Sequence, residues 1–230
     1  MKLMAIDTST EACSAALYVD GEMQVRFQLA PREHSRLLLP MMEGLLQDAD
    51  LSVRRLDALA FGRGPGSFTG VRIAAGMIQG VALGADLPVV PVSSLTALAQ
   101  GALRETGAER VLAAIDARMH EVYWGACEAG ATGMMETANE ECVALPQEVP
   151  LPAGDGWTGA GSGWDTYHQV LEARLGGRLR GWSAGRFPSA EDVAVLGVRG
   201  LERGEAVAAE LALPRYLRNQ VASPAAPRRD

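Results

Sequence analysis

Gly62-Arg63-Gly64-Pro65-Gly66-Ser67-Phe68-Thr69-Gly70-Val71-Arg72-Ile73 is a glycine-dense loop that opens a helical segment carrying Gly76, Gly80 and Gly84. Glycine inside a helix costs roughly 0.5–1 kcal/mol against alanine. Three at four-residue spacing therefore call for something that packs against this helix at close backbone distance. Two uses fit the loop. Its N–H groups at the head of a helix suit an anion, with Arg63 or Arg72 adding charge. Alternatively, Gly64, Pro65, Gly66 and Gly70 build a tight turn that lets the small-residue helix lie flat on a neighbour. An anion site alone does not require Gly76, Gly80 and Gly84.

The elements around this loop follow an order. Leu3–Ile6, Cys13–Val19 and Met23–Leu29 read as strands, with Asp20-Gly21 as a hairpin signal between the last two. Leu37, Leu38, Met41, Met42, Leu45 and Leu46 then recur at helical spacing in a segment ending near Asp50. Pro40 lies inside it, so this helix kinks or begins later than His34. Leu56–Phe61 is a strand, Val71–Ala85 a helix, Pro88–Val90 a strand and Ser94–Arg104 a helix, giving β-β-β-α-β-α-β-α. A similar order begins again at Arg110. Val111–Ile115 ends in Asp116 much as the first strand ends in Asp7. Val122–Cys127, Glu141–Leu145 and Gly156–Ala160 read as strands, and Thr166–Leu175 and Ala190–Arg203 as helices. Ser189 with Asp192 caps the last helix, and the Pro/Gly-rich region 146–163 suits a loop. We expect two related α/β lobes, 1–105 and 106–213, divided near Leu103–Glu109. Residues 214–221 are a candidate for return to the first lobe, and 222–230 are expected as a disordered tail.

With 230 residues, 48% of them hydrophobic and 21% charged, the chain can bury a sizeable core. With a formal net charge of −7 and no long Lys/Arg run, the chain lacks the electrostatic footprint expected of a protein that grips phosphate backbones by itself. Cys13, Cys127 and Cys142 form no zinc or redox pair and suit a reducing compartment. Asp7 arrives too early for a signal peptide, and no uninterrupted apolar run approaches the roughly 20 residues that span a bilayer. The expected location is cytoplasmic, away from membranes.

Asp7-Thr8-Ser9-Thr10 at a strand end offers a carboxylate and hydroxyls to a metal-bound phosphate, or closes a hairpin entry. With Gly64, Gly66 and Asp116 these residues make a candidate nucleotide cleft. Gly159-Ala160-Gly161-Ser162-Gly163 has neither the lysine of a P-loop nor the context of a dinucleotide fingerprint. His34, His120 and His168 lack metal-ligand spacing and read as surface or capping residues. Asp116 and Glu121 offer an acid–base pair, but a local ion pair or turn with Arg118 is the preferred reading. The apolar side chains of the 37–46 helix cover more than one face, which suits either a thick core helix or a second surface shared with the glycine helix. The preferred reading is a partner interface of Leu37, Leu38, Met41, Met42, Leu45, Gly70, Ile73, Gly76, Met77, Gly80 and Gly84, whose methionines adapt to irregular partners.

The duplicated layout, Asp7 and the glycine loop resemble the actin-like, sugar-kinase-like (RNase H-like) superfamily, with a cleft between lobes. Within it, Ile6-Asp7-Thr8-Ser9, His34-Ser35 with Leu38-Leu39-Pro40, Gly62 to Ile73 and Val92-Ser93-Ser94-Leu95 resemble the TsaB (YeaZ) family. So do Ile115-Asp116-Ala117-Arg118 with Glu121-Val122-Tyr123, and Pro214-Arg215-Tyr216-Leu217-Arg218. The resemblance implies a non-catalytic subunit of the bacterial machinery that makes threonylcarbamoyladenosine beside the tRNA anticodon. The catalytic paralogue TsaD carries a metal-binding His-x-x-x-His where this chain has Ser94 and Leu98, neither a ligand for a transition metal. The resemblance also implies a heterodimer with TsaD, docking of the ATPase TsaE on the pair, a homodimer in isolation, and tRNA contact only through the complex. Neither cofactor nor metal is expected, with weak or no ATP binding. The rival is a stand-alone ATP-dependent transferase or kinase using Asp7, the glycine loop and Asp116.

Overall fold

The computed structural model describes residues 1–218. It opens with a meander of β1 (Lys2–Asp7), β2 (Ala12–Val19) and β3 (Glu22–Leu29). Asp20 and Gly21 both take positive φ, 49° and 105°, as the tightest hairpin turns demand. Next comes α1 (His34–Asp48), followed by β4 (Ala58–Gly62), α2 (Phe68–Ala85), β5 (Val89–Val92) and α3 (Ser94–Thr106). Because α1 does begin at His34, the later start is excluded. Pro40 sits within the helix and removes the amide that would bond the Arg36 carbonyl.

The second half contains β6 (Arg110–Arg118), β7 (Glu121–Ala129), β8 (Met135–Thr137), β9 (Cys142–Ala144) and β10 (Trp157–Ala160). It closes with α4 (Ser162–Leu175), β11 (Leu179–Ser183) and α5 (Ala190–Glu202). The first sheet has the order β3-β2-β1-β4-β5 and the second β8-β7-β6-β10-β11, with β9 also on β7. In each, the first strand pairs antiparallel with the hairpin and parallel with the next strand, as in Ile6↔Ala15 and Ile6↔Phe61, or Ala113↔Gly125 and Ala113↔Ala160. The α/β duplication is thus present, with one departure. Where α1 would recur, the second lobe has only a short turn at Pro146–Glu148.

The helices make α/β/α/β/α layers. Leu38, Met42 and Leu45 of α1 and Ala74 and Ile78 of α2 bury one face of the first sheet with Met4, Ile6 and Phe61. Its other face, with Leu3, Ala5 and Ala60, receives Val193 and Ala194 of α5. Leu95, Leu98 and Ala102 of α3 cover one face of the second sheet, and α4, through its own Trp164 and Leu171, covers the other against Trp124 and Trp157. The helices therefore do not respect the expected division at 105/106, because α3 lies on the second sheet and α5 on the first. They are joined where Arg104 donates to both oxygens of buried Asp192, at 3.1 and 3.2 Å. Ser189 caps α5 by accepting from the Glu191 amide, while Asp192 serves Arg104.

After α5 the chain returns to the first sheet earlier than residue 214, since Val207 bridges Val89. The Gln79 side-chain Nε2 then donates to the Ala212 carbonyl at 3.2 Å, and the Arg215 backbone amide to the Arg63 carbonyl at 2.8 Å. Residues 219–221 of the expected return and the tail 222–230 lie outside the described residues. By length and composition alone α2 is apolar enough to cross a bilayer. Arg72 and Gln79 interrupt it, and its Val71, Ala74, Ala75, Ile78 and Ala82 face the protein interior.

Candidate functional site

The cleft between the lobes encloses about 580 Å³ and is lined by Ser9, Glu11, Gly66, Asp116, Arg118 and Arg218, among others. The Asp7 carboxylate is absent from its walls and fully buried. Its Oδ1 accepts from the Ser9 amide and hydroxyl, both at 2.8 Å, and its Oδ2 from the Ser94 hydroxyl at 3.4 Å. Burial pushes its pKa upward against these hydrogen bonds. Thr8 donates its hydroxyl to the Gly70 carbonyl at 2.8 Å, and the Ser67 amide donates to the Ser9 carbonyl at 2.7 Å.

These contacts explain the first half of the glycine run. A methyl group at Gly62 would strike the Asp7 carboxylate, one at Gly66 the Ser9 carbonyl, and one at Gly70 the Thr8 carbonyl. Gly64 needs its freedom for another reason, a φ of +95°. The loop is therefore a plug pressed backbone to backbone on the turn after β1. Asp7 and Thr8, expected in the cleft, are sealed beneath it. Ser9, though also buried, borders the cleft, as do Gly66 and Asp116.

Asp116 adopts the preferred local arrangement. It accepts from the Arg118 amide at 2.8 Å and from its guanidinium at 3.0 Å, and Arg118 also reaches Glu11 of the first lobe at 2.8 Å. Glu121 is held by Arg218, so the Asp116/Glu121 acid–base pair has no free carboxylate. Ser94 is fully buried and accepts from the Gly64 amide at 3.2 Å, and Leu98 packs in the core under the second sheet. Among the described residues no cluster of three His, Cys, Asp or Glu is placed to hold a metal. The surface reading of His34 is corrected, since it is buried and donates Nε2–H to the Thr10 carbonyl at 2.9 Å. In the second lobe, methyl groups at Gly159, Gly161 and Gly163 would strike Trp164 or Ala114, so that glycine run is packing.

The second half of the glycine run behaves differently. Gly76, Gly80 and Gly84 are exposed, and among the described residues nothing lies within 4 Å of where their Cβ atoms would be. They face outward as a bare track along α2, flanked by half-buried Ile73 and Met77. The expected companion face on α1 is corrected. Leu38, Met41, Met42 and Leu45 are only 0, 9, 2 and 2% exposed and lie in the chain's own core. Gly70 leaves the candidate interface too, since it meets Thr8. Of the α1 residues, half-buried Leu37 remains. The sequence reading missed Leu39 and Leu83, both exposed. Leu83 was readable from its place one turn beyond Gly80 on the same helical face.

The family model of TsaD, described as tRNA N6-adenosine threonylcarbamoyltransferase, matches residues 25–226. The tRNA threonylcarbamoyladenosine biosynthesis protein TsaB of Escherichia coli (strain K12) is 45% identical over 225 residues, covering 96% of either chain. The protein of the same name from Haemophilus influenzae is 42% identical over 230 residues, covering 96% of this chain and 95% of that one. The solved structure of YeaZ from Pseudomonas aeruginosa superposes with a TM-score of 0.88 at 49% identity, over 94% of this chain and 99% of that one.

Proposed function

Because the chain belongs to the TsaB (YeaZ) family, we propose that it is a non-catalytic subunit of tRNA threonylcarbamoyladenosine biosynthesis. In this reading it pairs with TsaD as a heterodimer, and the pair admits TsaE. The observation that carries it is the bare track of Gly76, Gly80 and Gly84, each forgoing helix stability with nothing above it among the described residues. A flat backbone face flanked by Ile73, Met77 and Leu83 suits a second helix laid across it. Without TsaD the same face serves a homodimer.

The sealed turn supports the non-catalytic part. A carboxylate that already accepts three hydrogen bonds and has the Gly62 backbone against it offers no open edge to a metal-bound phosphate. Ser94 and Leu98, at the positions of TsaD's metal-binding histidines, are enclosed. We therefore assign catalysis to TsaD, neither cofactor nor metal to this chain, tRNA contact to the complex, and the cytoplasm as location. The test is to mix the protein with TsaD of the same organism and follow size-exclusion chromatography with light scattering. A one-to-one complex formed at the expense of homodimer is the expected result. Two intact proteins that do not associate, with Mg-ATP turnover by this chain alone, would return the kinase reading to first place.

A further inference from the structure

A second groove, of about 310 Å³, opens beside the glycine loop and meets the cleft at Gly66, Phe68, Tyr123 and Arg218. Its walls carry Arg72, Arg215, Arg218, Phe68, Tyr123 and Tyr216 and, among the described residues, no carboxylate. That is a local reversal in a chain with 28 acidic and 21 basic residues. Arg218 is tied to Glu121, and Arg215 stands 3.8 Å from Glu141. Arg72 has no ion-pair partner among the described residues. Instead its Cζ lies 3.5 Å above the Phe68 ring centroid, and its Nε donates to the Tyr216 hydroxyl at 2.8 Å. The two rings stand 5.6 Å apart, yet Phe68 is 49% and Tyr216 43% exposed.

A half-exposed aromatic pair with a guanidinium held against it is a preformed stacking platform. The Nη donors of Arg72 remain available for a phosphate or a base edge. Aromatic rings interleaved with arginines are what single-stranded nucleic acid uses, the rings taking bases and the cations taking phosphates. An acidic peptide would engage the arginines but leave the ring faces in water. On the strength of the tRNA-modification reading above, we propose that this groove binds a single-stranded stretch of the tRNA substrate. A base stacks on Phe68 and Tyr216, and flanking phosphates meet Arg72, Arg215 and Arg218. Phe68 and Arg72 continue the Gly76 and Gly80 track by four-residue steps, so RNA held here lies at the end of the face offered to the partner. The net charge of −7 makes this contact an addition to the partner's grip on RNA.

The test uses the purified complex with TsaD and a fluorescent, unmodified anticodon stem-loop RNA, titrated by anisotropy at several salt concentrations. Phe68→Leu and Arg72→Ala are each expected to weaken RNA binding at least fivefold. Arg72→Ala should also lower the salt slope by about one, and light scattering should find the complex intact. RNA affinity within twofold of wild type for both variants, in an intact complex, overturns the proposal. So does weakened pairing with unchanged RNA affinity of the complex that remains, which assigns the groove to a protein. If wild type does not pair with TsaD, the scaffold reading falls. The same variants are then compared in the chain alone at low salt, where equal binding by wild type and variants overturns the groove.

Discussion

Asp7 is a carboxylate removed from water, and its behaviour with pH follows from that. Burial raises its pKa above the ordinary value of 3.8, so from about that pH upward the folded state holds a proton the unfolded state has lost. Stability therefore falls as pH rises through this window, and the cost is fully present above the folded pKa. Asp7→Asn preserves the acceptor for Ser9 and turns Nδ2 toward the Ser94 hydroxyl. We expect the variant to melt at or above wild type at pH 8, the margin shrinking as pH falls toward 4, with tRNA modification by the complex retained. A thermal scan in which the variant melts well below wild type at pH 8 would mean that the ionised carboxylate stabilises the fold. The buried thiols respond in the same direction, Cys13 being pushed up to about 11 and Cys127 to about 12, chiefly by burial. Both stay protonated and inert at neutral pH.

Between elements, α1 and α2 divide what looked like a shared role. Leu38→Glu is expected to cost about 4 kcal/mol or more, because it places a charge in the core against the first sheet. Denaturant unfolding should show the loss even without a partner. Gly80→Ala should stabilise the free protein by roughly 0.5–1 kcal/mol, there being open space for a methyl. Gly80→Leu should fold normally and fail to pair with TsaD. A Gly80→Leu protein that pairs as wild type would remove α2 from the interface. The sequence reached the existence of most elements, because their periods and turn residues are local: the Asp20-Gly21 hairpin, the Leu/Met stripe and the glycine run are all visible. It missed β8, only three residues long, and β11, where Arg180 and Gly181 interrupt the apolar run that marks a strand. The facing of α1 was not readable either. A 3.6-residue stripe reports how wide an apolar face is, whereas what covers it depends on strands far away in the chain. The glycines split for the same reason. Gly62, Gly66 and Gly70 answer to a turn some sixty residues earlier, and although the longer step from Gly70 to Gly76 breaks the four-residue repeat, nothing local says which of the two sets meets its own chain.

Across the whole molecule, α3 on the second sheet and α5 on the first meet each other and join the lobes through Arg104 and Asp192. Arg104→Ala should cost about 3 kcal/mol, since it leaves Asp192, 1% exposed, buried without its guanidinium. Calorimetry or urea unfolding would measure it, and a loss below about 1 kcal/mol would mean that water reaches Asp192 readily. The four tryptophans, Trp124, Trp157, Trp164 and Trp182, all belong to the second lobe. Their fluorescence reports on that lobe, while far-UV circular dichroism reports on both. We expect the two transitions to coincide, and separate midpoints would mean that the lobes unfold independently. The order of synthesis adds a further consequence. The strands carrying Leu3, Ala5 and Ala60 leave the ribosome more than a hundred residues before the helix that covers them, Ala190–Glu202, is made. Over that interval the nascent first sheet has one face uncovered, so chaperone contact and aggregation during synthesis should concentrate on those strands until α5 arrives.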